Sequence, residues 1–329
     1  SAGIDGNGNS EVFIGKFLKE NSYRDDVLIS TRSPCWLMEE KGDFEYYLDK
    51  QLEKLQTDSI DIYLLHALTK DDWDKVRKLR VLDFLDDSLS SGKIKHVGFS
   101  SHTEIDTFVD ILDAYPKWEV VLTQMNYLDE YYQTGVMGLD ELKRLNIGSM
   151  IMEPLRGGRL VQNIPPEVQK LWGSAEVKRT PVEWALEYLW NRDDVDCVLS
   201  GMNSLEQVRQ NIQIASDVKE ISEHDHDVIR EVGRTYKTLT GNDCTSCGYC
   251  MPCPEDVDII NCFKEYNIGK MLNNPKGSAL QYFTLIDDDC RADSCINCGE
   301  CEFVCPQMLD IPQELEKVDE YFGREFNHF

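Results

Sequence analysis

The amino-acid sequence predicts an α/β fold followed by a small cysteine-rich domain, and three observations carry that prediction. Short apolar runs alternate with amphipathic segments through residues 1–240, the pattern of parallel strands joined by helical crossovers. Eight of the twelve cysteines fall in two short runs within 241–329. Those two runs repeat one another.

In chain order, a helix over 11–19 leads to a strand at 27–30, and a helix over 44–55 carries Phe44, Tyr47, Leu48, Leu52 and Leu55 on one face. There follow a strand at 60–65, one helix within 74–89, a strand at 94–99, a helix at 104–114, a strand at 120–123, a helix at 138–145 and a strand at 149–152. After a longer connection, Thr180-Pro181-Val182-Glu183 opens a helix with a capping box and Pro in the first turn. A strand at 196–199 and a helix opened by Ser204-Leu205-Glu206-Gln207, a second capping box, complete the series. The count is six strands; eight close a barrel.

The cysteine runs are Cys244-Thr-Ser-Cys247-Gly-Tyr-Cys250-Met-Pro-Cys253-Pro254 and Cys295-Ile-Asn-Cys298-Gly-Glu-Cys301-Glu-Phe-Val-Cys305-Pro306. Three thiolates at two-residue intervals wrap three corners of a 4Fe-4S cube, and the fourth, before Pro, points to the cube of the other run. One cluster is therefore expected to take Cys244, Cys247, Cys250 and Cys305, the other Cys295, Cys298, Cys301 and Cys253. Paired C-x2-C elements also build zinc sites, but four evenly spaced cysteines ending in Cys-Pro suit a cube better than one tetrahedral ion. The first run is one residue short before its Cys-Pro, so Cys262 and Cys290 are substitutes if Cys253 cannot reach.

Composition limits the partners. The 60 acidic residues against 34 basic ones give a formal charge of −26, which argues against nucleic acid and anionic membranes. A protein partner is expected to present a basic face. No apolar run has the length of a membrane span, and the polar start is no signal peptide. Clustered thiolates without an export signal imply the cytoplasm.

Five stretches in order carry a family resemblance: 55–66 (ending Tyr-Leu-Leu-His66), 92–101 (Gly-Lys-Ile-Lys-His-Val-Gly-Phe-Ser-Ser), Gln124-Met-Asn126, Glu153-Pro-Leu-Arg-Gly157-Gly158 and Gly201-Met-Asn-Ser204 with Asn211. They resemble the signatures of the aldo/keto reductases, and the tail resembles the subgroup with a C-terminal double 4Fe-4S ferredoxin-like domain. The resemblance implies a (β/α)8 TIM-type barrel with its site at the C-terminal ends of the strands, and a small, mostly helical iron–sulfur domain. It places Ser1-Ala2 at the end of the second barrel strand. An upstream segment of roughly 60 to 70 residues, or a neighbour, is then expected to complete the barrel, because open parallel edges are avoided.

Family members reduce carbonyls with nicotinamide hydride and a Tyr proton donor, helped by a Lys–Asp pair and a His. His66 matches that His, or is a packed polar residue at the barrel end. Arg32 stands at the Lys position, and the Tyr position, within 3–6, holds no Tyr. The usual relay is thus expected to be absent, leaving His66 as an imidazolium donor and Arg32 as a holder of anionic substrate. By the same resemblance Ser100, Ser101 and Gln124 would hold a nicotinamide carboxamide, Leu155 and Gly157 its diphosphate, and Gly201, Ser204, Gln207 and Asn211 the adenosine phosphate. NAD and NADP both stay open. Hydride carries two electrons and a cube accepts one, so direct coupling requires a converter such as flavin; no flavin fingerprint is present, though a barrel can hold FMN without one.

The expected function is a cytoplasmic oxidoreductase passing electrons between a barrel-end site, with a small-molecule substrate, and a protein partner through two 4Fe-4S clusters. Its rival is an electron-transfer or scaffold subunit with a retired barrel. Cys35 follows a strand on the site face and reads as a reactive thiol or, more simply, a buried one. Cys197 reads as packing, and His224 and His226 as a solvated turn or, second, a metal site.

Overall fold

The structure, a computed structural model, describes residues 8–244, 246–305 and 307–326. It forms two compact units, Ser1–Pro154 with Leu186–Lys219, and Leu155–Ala185 with Glu220–Phe329. Along the chain run α1 (Asn9–Asn21), β1 (Ser30–Ser33), α2 (Lys41–Leu55), β2 (Ile60–Leu68), α3 (Lys70–Lys78), α4 (Val81–Ser90), β3 (Ile94–Ser101), α5 (Ile105–Asp113), β4 (Val120–Gln124), α6 (Gly135–Leu145) and β5 (Gly148–Met152). Then come α7 (Pro166–Trp172), α8 (Pro181–Trp190), β6 (Cys197–Val198), α9 (Leu205–Ser216), α10 (Glu223–Thr238), α11 (Ile259–Met271), α12 (Pro275–Leu285) and α13 (Ile311–Phe326).

In the first unit the six strands form one sheet in the order β1-β2-β3-β4-β5-β6, every neighbouring pair parallel. Both faces are apolar, as parallel sheets require. One face buries Leu64, Val120, Leu122 and Met150, with Ile62, Met152 and Leu199 against them. The other presents Tyr63, Leu65, Phe99, Val121 and Ile151, all fully buried. Gly98 lies opposite Leu64 on one side and Val120 on the other; a Cβ there would collide with the Val120 carbonyl, so only Gly fits. At the start of β2 the buried Asp61 accepts from the Ile29 amide at 2.9 Å and pairs with Arg24 at 2.9 Å and Lys95 at 2.7 Å. This pins the chain entering β1.

Several elements differ from the sequence expectation. The strand expected at 27–30 is Ser30–Ser33. The single helix expected within 74–89 is two, broken where Arg80 adopts φ 63°. Helix α7 was missed. His224 and His226 occupy no turn: they lie at the start of the 16-residue α10, capped by Ser222, whose hydroxyl accepts from the Asp225 amide. Cys197, on the short edge strand β6, is exposed rather than packed.

In the second unit the buried Arg179 and Asp225 pair at 2.6 Å, with the guanidinium 4.6 Å from the Trp184 ring and that ring stacked on Trp172. A separate core of Val257, Ile259, Cys262, Phe263, Tyr282, Ile311, Leu315, Val318 and Phe322 underlies the cysteine runs. The sequence repeat is also a backbone repeat. Ser246 and Asn297 share φ 57°, Gly248 and Gly299 have φ 78° and 76°, and Asp256 and Met308 have φ 56° and 54°. After each run an Asp caps a helix, Asp258 accepting from Asn261 and Asp310 from Gln313, both at 3.1 Å.

Candidate functional site

At the C-terminal end of the sheet, Arg32 of β1 and His66 of β2 meet, with Arg32 Nη1 3.2 Å from His66 Nε2. The guanidinium is the donor, so the imidazole is neutral with its proton on Nδ1. Burial, and then the Arg32 charge, push His66 down to about 4. This corrects the expectation that its imidazolium donates protons near neutral pH. The Nδ1 atom is buried without a hydrogen-bond partner among the described residues, and the Trp36 ring lies 5.0 Å from the imidazole. Arg32 has no carboxylate within ion-pair distance among the described residues.

The backbone that aims His66 is irregular. The β2–β3 register shifts between Leu65 and Leu68, and Ala67 takes φ 49°, as in a bulge that redirects a side chain near a site. Ser100 secures it, its hydroxyl accepting from the Ala67 amide at 2.7 Å. Gln51 holds Arg32 from behind, donating to its carbonyl at 2.8 Å and to the buried Glu11 at 3.1 Å. Sequence reasoning missed Gln51 and Trp36. Gln51 sits in an amphipathic helix where a polar residue reads as solvent-facing, and Trp36 follows a strand among ordinary loop residues.

The expected cofactor residues are placed as follows. Ser101 is buried, its hydroxyl donating to the Leu68 carbonyl at 3.2 Å, and Gln124 lies near Asp129 at 3.4 Å. Ser100 and Gln124 share the sheet face of Leu122 by strand alternation. Gly201, Ser204 and Gln207 are exposed at the start of α9, and Asn211 donates to Ser200 at 3.0 Å. Ser204 caps α9 as expected, but the Gln207 side chain accepts from Asn203 rather than closing a box on Ser204. Leu155 and Gly157 belong to the second unit, where Gly157 turns with φ 65°. The expected Tyr position, within 3–6, lies outside the described residues. Cys35 is fully buried and pushed up to about 12, chiefly by burial; it is no reactive thiol.

The cysteines of the second unit surround two hollows. Cys244, Cys247, Cys250 and Cys305 line one, with Phe263, Leu309 and Ile311. Cys253, Cys295, Cys298 and Cys301 line the other, beside Cys250. Each hollow therefore draws thiols from both runs. Burial raises Cys244, with the neighbouring Cys247 and Cys305 adding. Cys301 is pushed up to about 11 by burial and then by Cys295, Cys298 and Cys250. At equivalent positions the Ser246 amide donates to Cys244 Sγ and the Asn297 amide to Cys295 Sγ, both at 3.4 Å. The donor chemistry, all thiols, fits iron–sulfur ligation. Cys262 is fully buried in the core, its thiol 4.0 Å from the Cys290 carbonyl.

Comparison with known proteins bears on both units. The aldo/keto reductase family model matches residues 1–234. The chain belongs to the aldo/keto reductase family. A 4Fe-4S dicluster domain matches 243–314, and the two together support an iron–sulfur oxidoreductase. Among curated relatives, an L-galactose dehydrogenase of Arabidopsis thaliana is 26% identical over 245 residues, covering 68% of this chain and 74% of its own. An NADH-specific methylglyoxal reductase of Escherichia coli is 23% identical over 252 residues, covering 62% of this chain and 74% of its own. Among solved structures, the holo form of an aldo-keto reductase from Bacillus halodurans aligns with TM-score 0.57 at 24% identity, over 68% of this chain and 76% of its own. A 2,5-diketo-D-gluconic acid reductase B fold aligns with TM-score 0.54 at 20% identity, over 68% of this chain and 74% of its own. These structures confirm the barrel-type fold. No helix among the described residues is long and apolar enough to cross a membrane.

Proposed function

We propose that this aldo/keto reductase family member is a cytoplasmic oxidoreductase that takes an anionic small molecule at the Arg32–His66 pair and exchanges electrons singly with a protein partner through two 4Fe-4S clusters. The observation that carries the reading is that both hollows are lined by cysteines drawn from both runs, four in one and five in the other, with Cys250 lining both. Cys244, Cys247, Cys250 and Cys305 would hold one cluster, and Cys295, Cys298, Cys301 and Cys253 the other. A cluster supplies one-electron transfer and no proton. Arg32, half-buried and with no carboxylate partner among the described residues, binds the anionic group. His66, neutral near pH 7, orients Arg32 through Nε2 and supplies no acid. Without the Tyr and Lys of the family relay, ordinary aldehydes lose a general acid that contributes roughly a hundred- to ten-thousand-fold.

Nicotinamide is the proposed hydride source, by relation to the NADH-specific relative, with Ser100, Ser101 and Gln124 at its carboxamide. Gly201, Ser204, Gln207 and Asn211 are proposed along its phosphates. A flavin would be the converter between hydride and single electrons. The test is anaerobic purification followed by metal analysis, absorption spectra and NADH and NADPH oxidation with aldehydes and with sugar or keto acids. Expected are about eight irons per chain, broad absorption near ~400 nm, little turnover of simple aldehydes, and loss of acid turnover in Arg32→Ala. Stoichiometric zinc with little iron would overturn the cluster reading. Robust aldehyde turnover surviving Arg32→Ala and His66→Ala would overturn the site, and no turnover with bound clusters would leave the chain an electron-transfer subunit.

A further inference from the structure

The hollow lined by Cys253, Cys295, Cys298 and Cys301 opens beside an apolar patch. Among the described residues of the second unit the exposed large apolar ones are Tyr249, Leu280, Leu285, Ile296, Phe303, Val304 and Met308, and five of these belong to the cysteine runs and the residues just after them. Tyr249, Ile296 and Val304 line this hollow together with Glu255 and Glu300. Phe303, 92% exposed, stands next to them in sequence.

The asymmetry of the runs puts it there. Between Cys301 and Cys305 lie Glu302, Phe303 and Val304, where the first run has only Met251 and Pro252. The residue that the first run lacks is part of an outward-facing aromatic and aliphatic pair in the second. Phe303 follows Glu302 and precedes Val304, which lines the hollow, and at 92% exposed it buries nothing in the fold. It marks a contact surface.

Charge decides which partner fits. Residues 238–263 carry four acidic side chains and 292–316 carry six, and neither stretch contains a Lys, Arg or His. We propose that this face, with Phe303 at its centre and Glu255, Glu300 and Glu302 at its rim, docks an electron-carrier protein whose own apolar contact is ringed by Lys and Arg. The proposal rests on the reading of the hollow as a cluster site and says which of the two hollows faces the partner. Apolar contact supplies the short-range affinity, and the acidic rim steers encounter and sets the salt dependence.

The test uses the full chain, purified anaerobically with its iron, and cytochrome c, a small basic haem protein, as probe. Calorimetry at low and moderate salt measures the dissociation constant. Phe303→Ser, which changes no charge, is expected to weaken binding about tenfold. Glu300→Lys with Glu302→Lys should weaken it as much and flatten the salt dependence. Asp71→Lys with Glu206→Lys, the same charge change in the first unit, should leave affinity within about twofold. Equal losses in both double variants, with none in Phe303→Ser, would overturn the proposal, since binding then reports net charge alone. Sedimentation showing a pair of chains that Phe303→Ser dissolves would also overturn it, the occupant being a second copy. Iron analysis of each variant keeps the readings separate. An iron-poor chain in which Phe303→Ser still weakens binding would support the surface and remove the cluster.

Discussion

Arg32 and His66 constrain one another. A guanidinium cannot give up its proton near neutral pH, so at 3.2 Å the imidazole must be the acceptor and must stay neutral. Arg32→Met is therefore expected to raise His66 from about 4 toward its ordinary value of about 6.5. Ring-proton NMR titration measures this, and an unmoved His66 would show that Arg32 does not act on it. The depressed value has a stability consequence with a definite sign. Between the folded and unfolded values the unfolded chain binds more protons, so stability falls as pH drops from about 6.5 to about 4. In His66→Gln that part of the acid loss should vanish from urea midpoints, while the loss due to carboxylates persists. The sequence singled out both residues as candidates. It could not show their contact, because nothing local gives the register that sets Arg32 opposite Leu64, two residues before His66 on the same face of β2.

At the scale of elements, what was legible depended on how local the cause was. The capping box opening α8 is written in four adjacent residues, and it is present: the Thr180 amide donates to Glu183 at 2.6 Å and the Glu183 amide to Thr180 at 3.2 Å. Thr180→Ala should cost about 1 kcal/mol by urea unfolding. Helix α10 was misread for the opposite reason. Its first turn, Glu223-His-Asp-His-Asp, looks solvated in sequence, and what buries it is Arg179, 46 residues upstream in sequence and paired with Asp225 inside the second unit. Breaking a pair that is wholly removed from water leaves an uncompensated charge. Asp225→Asn is thus expected to destabilise by about 3–5 kcal/mol, far more than Asp227→Asn on the exposed side of the same helix. Comparable losses in the two variants would mean the pair carries little. The break at Arg80 and the bulge at Ala67 had no signal, since neither position holds the Gly or Asn that left-handed backbone favours.

For the whole molecule, the cysteine framework makes the sharpest demand. The 51-residue offset between Cys244 and Cys295 becomes 52 between Cys253 and Cys305, yet the left-handed turns and the capping Asp residues recur in both copies. The missing residue is absorbed between Cys250 and Cys253 without removing Cys253 from its hollow. Sequence alone left Cys262 and Cys290 as substitutes. Cys262 is enclosed by the apolar core, and neither Cys262 nor Cys290 lines either hollow. Cys253→Ala and Cys298→Ala should each lower iron from about eight to about four per chain, measured by metal analysis and by spin quantitation after reduction. Cys262→Ala and Cys290→Ala should keep the full complement, Cys262→Ala with a lower unfolding midpoint from the cavity it opens. Full iron in Cys253→Ala together with half in Cys290→Ala would move the fourth ligand to Cys290 and end the crossed arrangement as drawn. Chelation should then destabilise the second unit selectively, because thiols from both runs lose the bond that fixes them together. Calorimetry of iron-free protein is expected to show that unit's transition displaced to lower temperature and the sheet unit's transition in place.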